Sequence, residues 1–278
     1  VYKRQEFGRY KLSGENATDF PKVPVVSEGD TIDISSEILQ KAVSSTIFAA
    51  STDDLRPSMT GVYVVINDGS TTFVATDGHR LVRYRRLDIT ADAENTLIIP
   101  KKALVLLKSS LPSDNTNVKI EFTPSNAFFS FGNVQMVCRL IDERYPDYEN
   151  VIPVENPNIL TIEKNDFLSS LKRISIYANK TTHQVRIKIT GSELQISAED
   201  LDFSNEANER LTCEFNGEDM EIGFNAKFLM EMLNNIDSKT INLELSEPNK
   251  AGLIIPQGED ANENILMLVM PVMLNNYV

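Results

Sequence analysis

SSEILQKAV at residues 35–43 and KNDFLSSLK at residues 164–172 carry one shared amphipathic pattern, and similar elements follow each of them. A second matched pair lies further along, IIPKKALVLL at 98–107 and GFNAKFLMEML at 223–233. Both pairs recur at a separation of roughly 125 residues, and a constant separation indicates a duplicated structural unit. The chain is therefore predicted to hold two copies of one domain.

Each matched segment is predicted to be a helix, because its apolar residues recur at helical spacing. The first helix is placed at 35–51 with Ser36 as its N-cap, and the second at 100–111 with a proline in its first turn. Asp166 and Asn225 are expected to cap the third and fourth helices. The two repeats therefore contribute two helices each.

Between the helices, apolar and polar residues alternate with the period of a strand. Residues 185–198 alternate on both sides of the turn Gly191-Ser192, which predicts a hairpin. Residues 62–76, interrupted at Asn67-Asp68-Gly69, and residues 118–131, interrupted at Pro124-Ser125-Asn126, follow the same pattern. The predicted class is α+β, with helices packed on antiparallel strands in each repeat.

The first 24 residues are predicted to end an earlier unit. EFGRYKLSGENATDFPKVP closes on Phe20-Pro21 and Pro24, much as VCRLIDERYPDYENVIP closes on Tyr145-Pro146 and Pro153. We therefore expect residues 1–27 to be the remnant of a first domain, 28–154 the middle domain and 155–278 the last.

The net charge of −13 argues at first against nucleic acid as a partner, because Lys and Arg supply most of the affinity for phosphate. The acidic residues are unevenly distributed. Residues 193–221 hold ten acidic residues and one basic residue, so this stretch accounts for −9 of the total. One surface can therefore be acidic while another is basic.

Cysteine usage and hydropathy favour a reducing, cytoplasmic setting. Cys138 and Cys213 lie in strand-like patterns without metal-ligand spacing, so we expect two buried thiols. The Met-rich run at 265–274 is too short to span a membrane and is predicted to be a buried strand that ends at Pro271.

The densest polar cluster is TDGHR at residues 76–80. In a hydrolase, His79 would be the general base and Asp77 would orient it, but no nucleophile in an elbow-like setting accompanies them. The simpler interpretation is a turn, with Asp77 bonding local backbone and Gly78 at positive φ. A turn on a rigid scaffold can also carry a binding role.

Lysines share the polar faces of the second and third helices. Lys101 and Lys108 lie opposite a leucine stripe, and Lys164 and Lys172, beside Arg173, lie opposite Phe167 and Leu171. A solvated helix face is the commoner meaning of this pattern. Without a base-reading motif, any DNA contact should ignore sequence.

Four ordered motifs together resemble the bacterial DNA polymerase III beta subunit family, the processivity clamps. They are ATDGHRL at 75–81, LIDERYPDYENVIP at 140–153, EIGFNAKFL at 221–229 and VMPVML at 269–274. The resemblance implies a clamp fold of three similar domains, each with two helices on two antiparallel sheets, and two subunits joined head to tail in a ring. It implies no catalytic residue, no cofactor and no metal.

The resemblance also implies partners and sites. Helices would line a central hole, the acidic stretch would face outward, and a basic lining would let the ring slide on duplex DNA. The polymerase III alpha subunit, the clamp loader and repair factors would bind a pocket between the middle and last domains. The DNA-facing residues would be Lys41, Lys101, Lys102, Lys108, Lys164, Lys172 and Arg173. The pocket would be lined by Arg56, Met59, Thr76, Gly78, His79, Arg80, Leu81, Pro146 and Val151 of the middle domain and by Asn225, Phe228, Leu268, Val269, Met270, Pro271, Val272 and Met273 of the last.

Some positions depart from the family pattern. Phe228 stands where Tyr is common, Asn150 and Met273 stand where Arg can occur, and residues 275–278 extend past the usual end. A chain that lacks the first domain should be monomeric and unable to close a ring. A peptide-binding adaptor that never encircles DNA is the alternative function.

Overall fold

The structure is a computed structural model that describes residues 2–20, 29–91, 94–258 and 260–274, with the backbone alone for residues 2–5. The predicted extension at residues 275–278 lies outside these residues. Within the described residues there are four α-helices, two in each predicted repeat. They are α1 Ser36–Thr46, α2 Lys101–Ser110, α3 Lys164–Ile174 and α4 Ala226–Asn234.

Strands make up most of the remainder and follow the predicted order. An N-terminal hairpin joins β1 Tyr2–Gln5 and β2 Gly8–Lys11. The middle repeat contains β3 Asp30–Ser35, β4 Gly61–Ile66, β5 Thr71–Thr76, β6 Arg80–Arg86, β7 Asn95–Pro100, β8 Asn117–Phe122, β9 Asn126–Phe131 and β10 Val134–Arg139. The last repeat contains β11 Asn158–Glu163, β12 Gln184–Thr190, β13 Glu193–Asp200, β14 Asn205–Thr212, β15 Glu214–Asn216, β16 Met220–Asn225, β17 Thr240–Leu245, β18 Gly252–Pro256 and β19 Glu263–Val269.

One antiparallel sheet runs through both repeats. Its order is β15-β11-β17-β18-β19-β6-β5-β4-β7, and a four-stranded sheet in each repeat, β10-β9-β8-β3 or β14-β13-β12-β16, completes the architecture. The junction is the antiparallel pair β19 and β6, in register from Glu263 opposite Arg86 to Val269 opposite Arg80. Backbone hydrogen bonds therefore join the two repeats directly.

The three predicted hairpins are confirmed, but two of the predicted helix caps are wrong. Ser35 caps α1 by accepting the N–H of Ile38 at 3.2 Å, whereas the Ser36 hydroxyl donates to the carbonyl of Asp114. Asp166 lies inside the first turn of α3, whose first residue, Lys164, donates its N–H to the carbonyl of Lys239 at 2.9 Å. That carbonyl satisfies one of the N–H groups that the start of a helix leaves without an intrahelical partner.

Two apolar clusters hold the layers together. The larger lies between the helix pairs and the sheets and includes Leu39, Leu104, Phe167 and Leu229. The smaller lies beneath the loop that follows β10 and draws on both repeats. Its buried members are Val74, Leu81, Ile98, Tyr145, Tyr148, Ala251, Leu253, Leu266 and Leu268.

Other expectations hold in part. Residues 265–269 are a buried strand, as predicted, and seven of the ten acidic side chains in 193–221 are exposed. Both cysteines are free; Cys213 is buried, but Cys138 is only half-buried, because its strand β10 lies at a sheet edge. None of the helices in the described part of the chain is long and apolar enough to cross a membrane.

Candidate functional site

A groove of about 500 Å³ lies at the boundary between the two repeats. Its walls come from the turn after β5, from the loop at residues 146–153, from the turn before β18 and from the end of β19. Its surface is mostly apolar. The lining residues are Met59, Thr76, Gly78, Arg80, Leu81, Pro146, Asp147, Tyr148, Val151, Pro153, Asn249, Lys250, Ala251, Leu268 and Met270.

The TDGHR segment forms the tight turn that the sequence predicts. Gly78 has a φ of 91°, a conformation that favours glycine. Asp77 Oδ1 accepts the N–H groups of His79 at 2.9 Å and Arg80 at 3.1 Å, and Thr76 Oγ1 accepts the N–H of Gly78 at 3.1 Å. These bonds fix the direction in which Leu81 enters β6.

The Asp77 carboxylate is engaged by the turn backbone and by Arg80 rather than by the ring of His79. Its Oδ2 atom accepts a hydrogen bond from Arg80 Nε at 3.1 Å. Within the described ranges, no group of three or more His, Cys, Asp and Glu side chains could hold a metal ion. The geometry therefore gives no support to the hydrolase interpretation of His79.

Arg80 connects the two repeats beside the groove. Its guanidinium, which is buried, donates to Asp77 and to the carbonyl of Phe48 in the middle repeat and to Glu231 on α4. The guanidinium carbon also lies 4.8 Å from the ring centroid of Phe228 on α4. Arg80 therefore holds α4 of the last repeat against the middle repeat.

The structure gathers nine of the seventeen residues expected in the pocket. Arg56 and His79 instead line an adjoining polar cavity of about 520 Å³, of which Arg80 forms a shared wall. Phe228 is half-buried, with its ring centroid 6.0 Å from that of His79. The nine residues that line the apolar groove are Met59, Thr76, Gly78, Arg80, Leu81, Pro146, Val151, Leu268 and Met270.

The remaining five expected residues do not line the groove. Asn225 caps α4 by accepting the N–H of Lys227 at 2.9 Å, which confirms the predicted cap. Val269 is fully buried in the main core. Beyond β19, Pro271 is half-buried, Val272 donates its N–H to the carbonyl of Gly223 at 2.8 Å, and Met273 is 74% exposed.

Six lining residues were not expected from the sequence. Asp147, Tyr148 and Pro153 lie inside the LIDERYPDYENVIP motif, so that motif was the available signal. The other three lie at residues 249–251, in a turn between β17 and β18 with no distinctive pattern. Only the approach of that turn to the middle repeat places it at the groove.

The seven expected DNA-facing cations differ in their surroundings. Lys41 Nζ lies 2.7 Å from Glu263, and Arg173 forms a two-bond pair with Glu209. Lys101 donates to the carbonyl of Ala50 at 3.2 Å, and Lys164 to that of Ile236 at 2.6 Å. The other three, Lys102, Lys108 and Lys172, form no ion pair within the described residues, and Lys102 and Lys172 are exposed.

Comparisons with known proteins agree across sequence and structure. Two family models match, the DNA polymerase III beta subunit central domain over residues 33–147 and the C-terminal domain over residues 149–273. The beta sliding clamp of Staphylococcus epidermidis is 30% identical over 265 residues, covering 95% of this chain and 69% of that protein.

Solved clamp structures superpose over nearly the whole chain. The sliding clamp of Pseudomonas aeruginosa bound to griselimycin has a TM-score of 0.91 at 27% identity, covering 98% of this chain and 73% of that one. The sliding clamp of Bacillus subtilis also has a TM-score of 0.91, at 26% identity, covering 99% of this chain and 72% of that one. With 30% identity over 69% of a curated relative and both domain models matched in order, the chain belongs to the DNA polymerase III beta subunit family, the beta sliding clamps.

Proposed function

We propose that this chain works in the cytoplasm as a DNA sliding clamp that tethers replication and repair proteins through the groove between its repeats. The observation that carries the proposal is the position of the groove, at the end of the β6 and β19 junction where Leu81, Leu268 and Met270 meet. The family's role is that of a processivity factor, so the work of this chain is binding rather than catalysis.

The groove suits short peptide tails with apolar anchors. Buried Leu81 and Leu268 form its floor, and Met270, 41% exposed, can adjust to the side chain that enters. A preformed apolar pocket with a few polar groups at its rim lets one or two anchor residues supply most of the binding energy. The polymerase III alpha subunit, the clamp loader and repair factors would each contribute such a tail.

The helix faces are proposed to meet duplex DNA. Lys102 on α2 and Lys172 on α3 are exposed and belong to different repeats, which the shared sheet holds as one unit. Contacts of this kind neutralise phosphates without reading bases, so the interaction is independent of sequence and weakens with salt. Enclosure by the ring, rather than affinity, would keep the clamp on DNA.

In the full-length protein, a second subunit is proposed to join at β14. This strand lies at the edge of its four-stranded sheet, and in the described residues no strand pairs with its outer side. It carries Glu206, which is exposed, and Glu209. An unpaired edge can add a strand from another subunit, and the acidic side chains favour a basic one.

Binding of a labelled peptide with a Leu-Phe anchor tests the groove. Met270→Asp places a charge at its mouth and should weaken binding at least about tenfold, because a desolvated, unpaired carboxylate opposes an apolar anchor. Met273→Asp is the matched control, since this exposed Met lies three residues away and outside the groove. Equal loss in both variants, or none in Met270→Asp, would refute the proposed groove.

Retention on DNA separates the clamp from an adaptor that does not encircle it. A ring assembled from the full-length protein should stay on nicked circular DNA after loading and slide off once the circle is cut. An adaptor would show no difference between circular and linear DNA.

A further inference from the structure

Three charged side chains line the apolar groove: Arg80, Asp147 and Lys250. Arg80 is already held by Asp77, by Glu231 and by the carbonyl of Phe48. Asp147 accepts a hydrogen bond from Asn150 Nδ2 at 2.6 Å within its own loop. Both of these charges therefore already have partners, which leaves Lys250 as the third charge of the groove.

Among the residues that the structure describes, Lys250 is held only by an exposed partner on its own turn. Its N–H donates to the carbonyl of Glu247 at 3.0 Å, and its Nζ lies 2.7 Å from Glu247 Oε1. The two side chains are 54% and 60% exposed, and ion pairs of this kind contribute little net stability. An ammonium has three donors, so Lys250 can accept a second carboxylate without losing the first.

The position of Lys250 separates its apolar and charged parts. The residue follows β17 and precedes Ala251, which is buried and also lines the groove. A lysine can lay its methylene stem along an apolar wall and keep its ammonium in water. A peptide seated on Leu81 and Leu268 would then pass beneath a positive charge at the rim contributed by the last repeat.

We propose that Lys250 is a specificity-determining residue of the groove, pairing with an Asp or Glu side chain next to the apolar anchor of a partner's tail. This inference rests on the proposed peptide-binding function. It names the chemistry that the groove prefers: an apolar anchor with an acidic neighbour, rather than a neutral or basic one. The pair would adjust the ranking of partners more than it would raise overall affinity.

The test uses three C-terminally amidated peptides that share one Leu-Phe anchor and differ in a single neighbouring residue, Asp, Asn or Lys. The unaltered chain should bind the Asp peptide about three- to fivefold more tightly than the Asn peptide, the effect that one exposed ion pair produces. Lys250→Glu should reverse the ranking, so that the Lys peptide binds more tightly than the Asp peptide. Rising salt should reduce both preferences.

Lys239→Glu is the matched control, because it makes the same change in net charge at an exposed residue of the same repeat that does not line the groove. It should keep the original ranking, which excludes a general effect of net charge. A fourth peptide, with Asn beside the anchor and a free C-terminus, distinguishes a terminal carboxylate from a side chain. If Lys250→Glu changed the affinity of that peptide alone, the assignment to a side chain would be overturned.

The remaining outcomes separate this inference from the proposed function. One outcome is that the Asn peptide binds while the affinity of the Asp peptide relative to the Asn and Lys peptides is the same in the unaltered chain and in Lys250→Glu. That result would refute the role of Lys250 but leave the proposed groove intact. If no peptide with a Leu-Phe anchor binds, both are refuted. Unchanged urea midpoints in the variants would show that the differences arise at the groove.

Discussion

The guanidinium carbon of Arg80 lies 4.8 Å from the ring centroid of Phe228, across the boundary between the two repeats. Arg80 belongs to the middle repeat and Phe228 to α4 of the last. Since Arg80 also forms a wall of the groove, the contact that joins the repeats also shapes the candidate binding site.

Phe228→Leu should lower the free energy of unfolding by about 1 kcal/mol, because leucine keeps apolar bulk but cannot attract the guanidinium through a ring face. Phe228→Tyr is the control, since it keeps the ring. Urea unfolding measures both variants. A Leu variant as stable as the unaltered chain would mean that the ring contributes only packing.

The far end of the β6 and β19 junction holds an ionic cluster that should make the stability of the fold fall at acidic pH. Arg86, which is buried, bonds to Asp88 at 2.8 and 2.6 Å and also to Asp260. Hydrogen bonds from Arg86 hold the pKa of Asp88 below its usual value. Because the folded pKa is depressed, this carboxylate stabilises the fold above the unfolded value of about 4, and the contribution is lost as the pH falls toward the folded pKa.

Arg86→Met should therefore unfold at lower urea concentration at neutral pH. We expect a loss on the order of 2 kcal/mol, less than for a fully buried pair, because the carboxylates of Asp88 and Asp260 both reach water. Its urea midpoint should also fall less than that of the unaltered chain between about pH 5 and pH 3. Arg210→Met, which removes the exposed pair to Glu193, should retain the original acid sensitivity. If the urea midpoints of the unaltered chain and of Arg86→Met fell by the same amount over this pH range, the account would be contradicted.

Gly223→Ala should disturb the segment that follows β19. A Cβ at this position would overlap the carbonyl oxygen of Val272, whose N–H donates to Gly223 at 2.8 Å. Met270 is tied to the same segment and donates its N–H to the carbonyl of His79 at 2.9 Å. We expect overpacking to cost about 1 to 3 kcal/mol of stability.

The same substitution should weaken binding of the anchored peptide about fivefold, since a displaced Met270 no longer fits the groove. Gly258→Ala, where an added Cβ meets no atom within 4 Å, should change neither property. Normal peptide affinity in Gly223→Ala would show that the segment does not set the shape of the groove.

Lys102→Gln combined with Lys172→Gln should reduce the salt dependence of binding to duplex DNA. Each lost phosphate contact lowers the slope of log K against log salt by about 0.9, so the expected decrease is about 2. The control pair is Lys119→Gln with Lys188→Gln, two exposed lysines on strands whose neighbouring residues face the core. If the slope decreased equally in both double variants, the helix faces would not be the preferred DNA-binding surface.

Local features could be predicted from the sequence because they depend on residues close together in the chain. The TDGHR turn formed as expected, since Asp77 bonds to the N–H groups of the next residues and Gly78 supplies the positive φ. Asn225 capped α4 for the same reason. The caps predicted at Ser36 and Asp166 were wrong, because the hydroxyl of Ser36 donates to the carbonyl of Asp114 and because α3 begins at Lys164, which places Asp166 inside its first turn.

The amino-acid sequence by itself determined the repeat, the class of fold and most of the middle repeat's share of the groove, through short motifs that keep their spacing. Only the tertiary structure decided that β6 pairs with β19, that the turn bearing Lys250 closes the groove, and that Lys41 meets Glu263 instead of remaining a free cation. The physical reason is distance along the chain. Hydrogen bonds within a turn are specified by adjacent residues, whereas a strand pair or an ion pair between repeats forms only when packing brings two remote segments together.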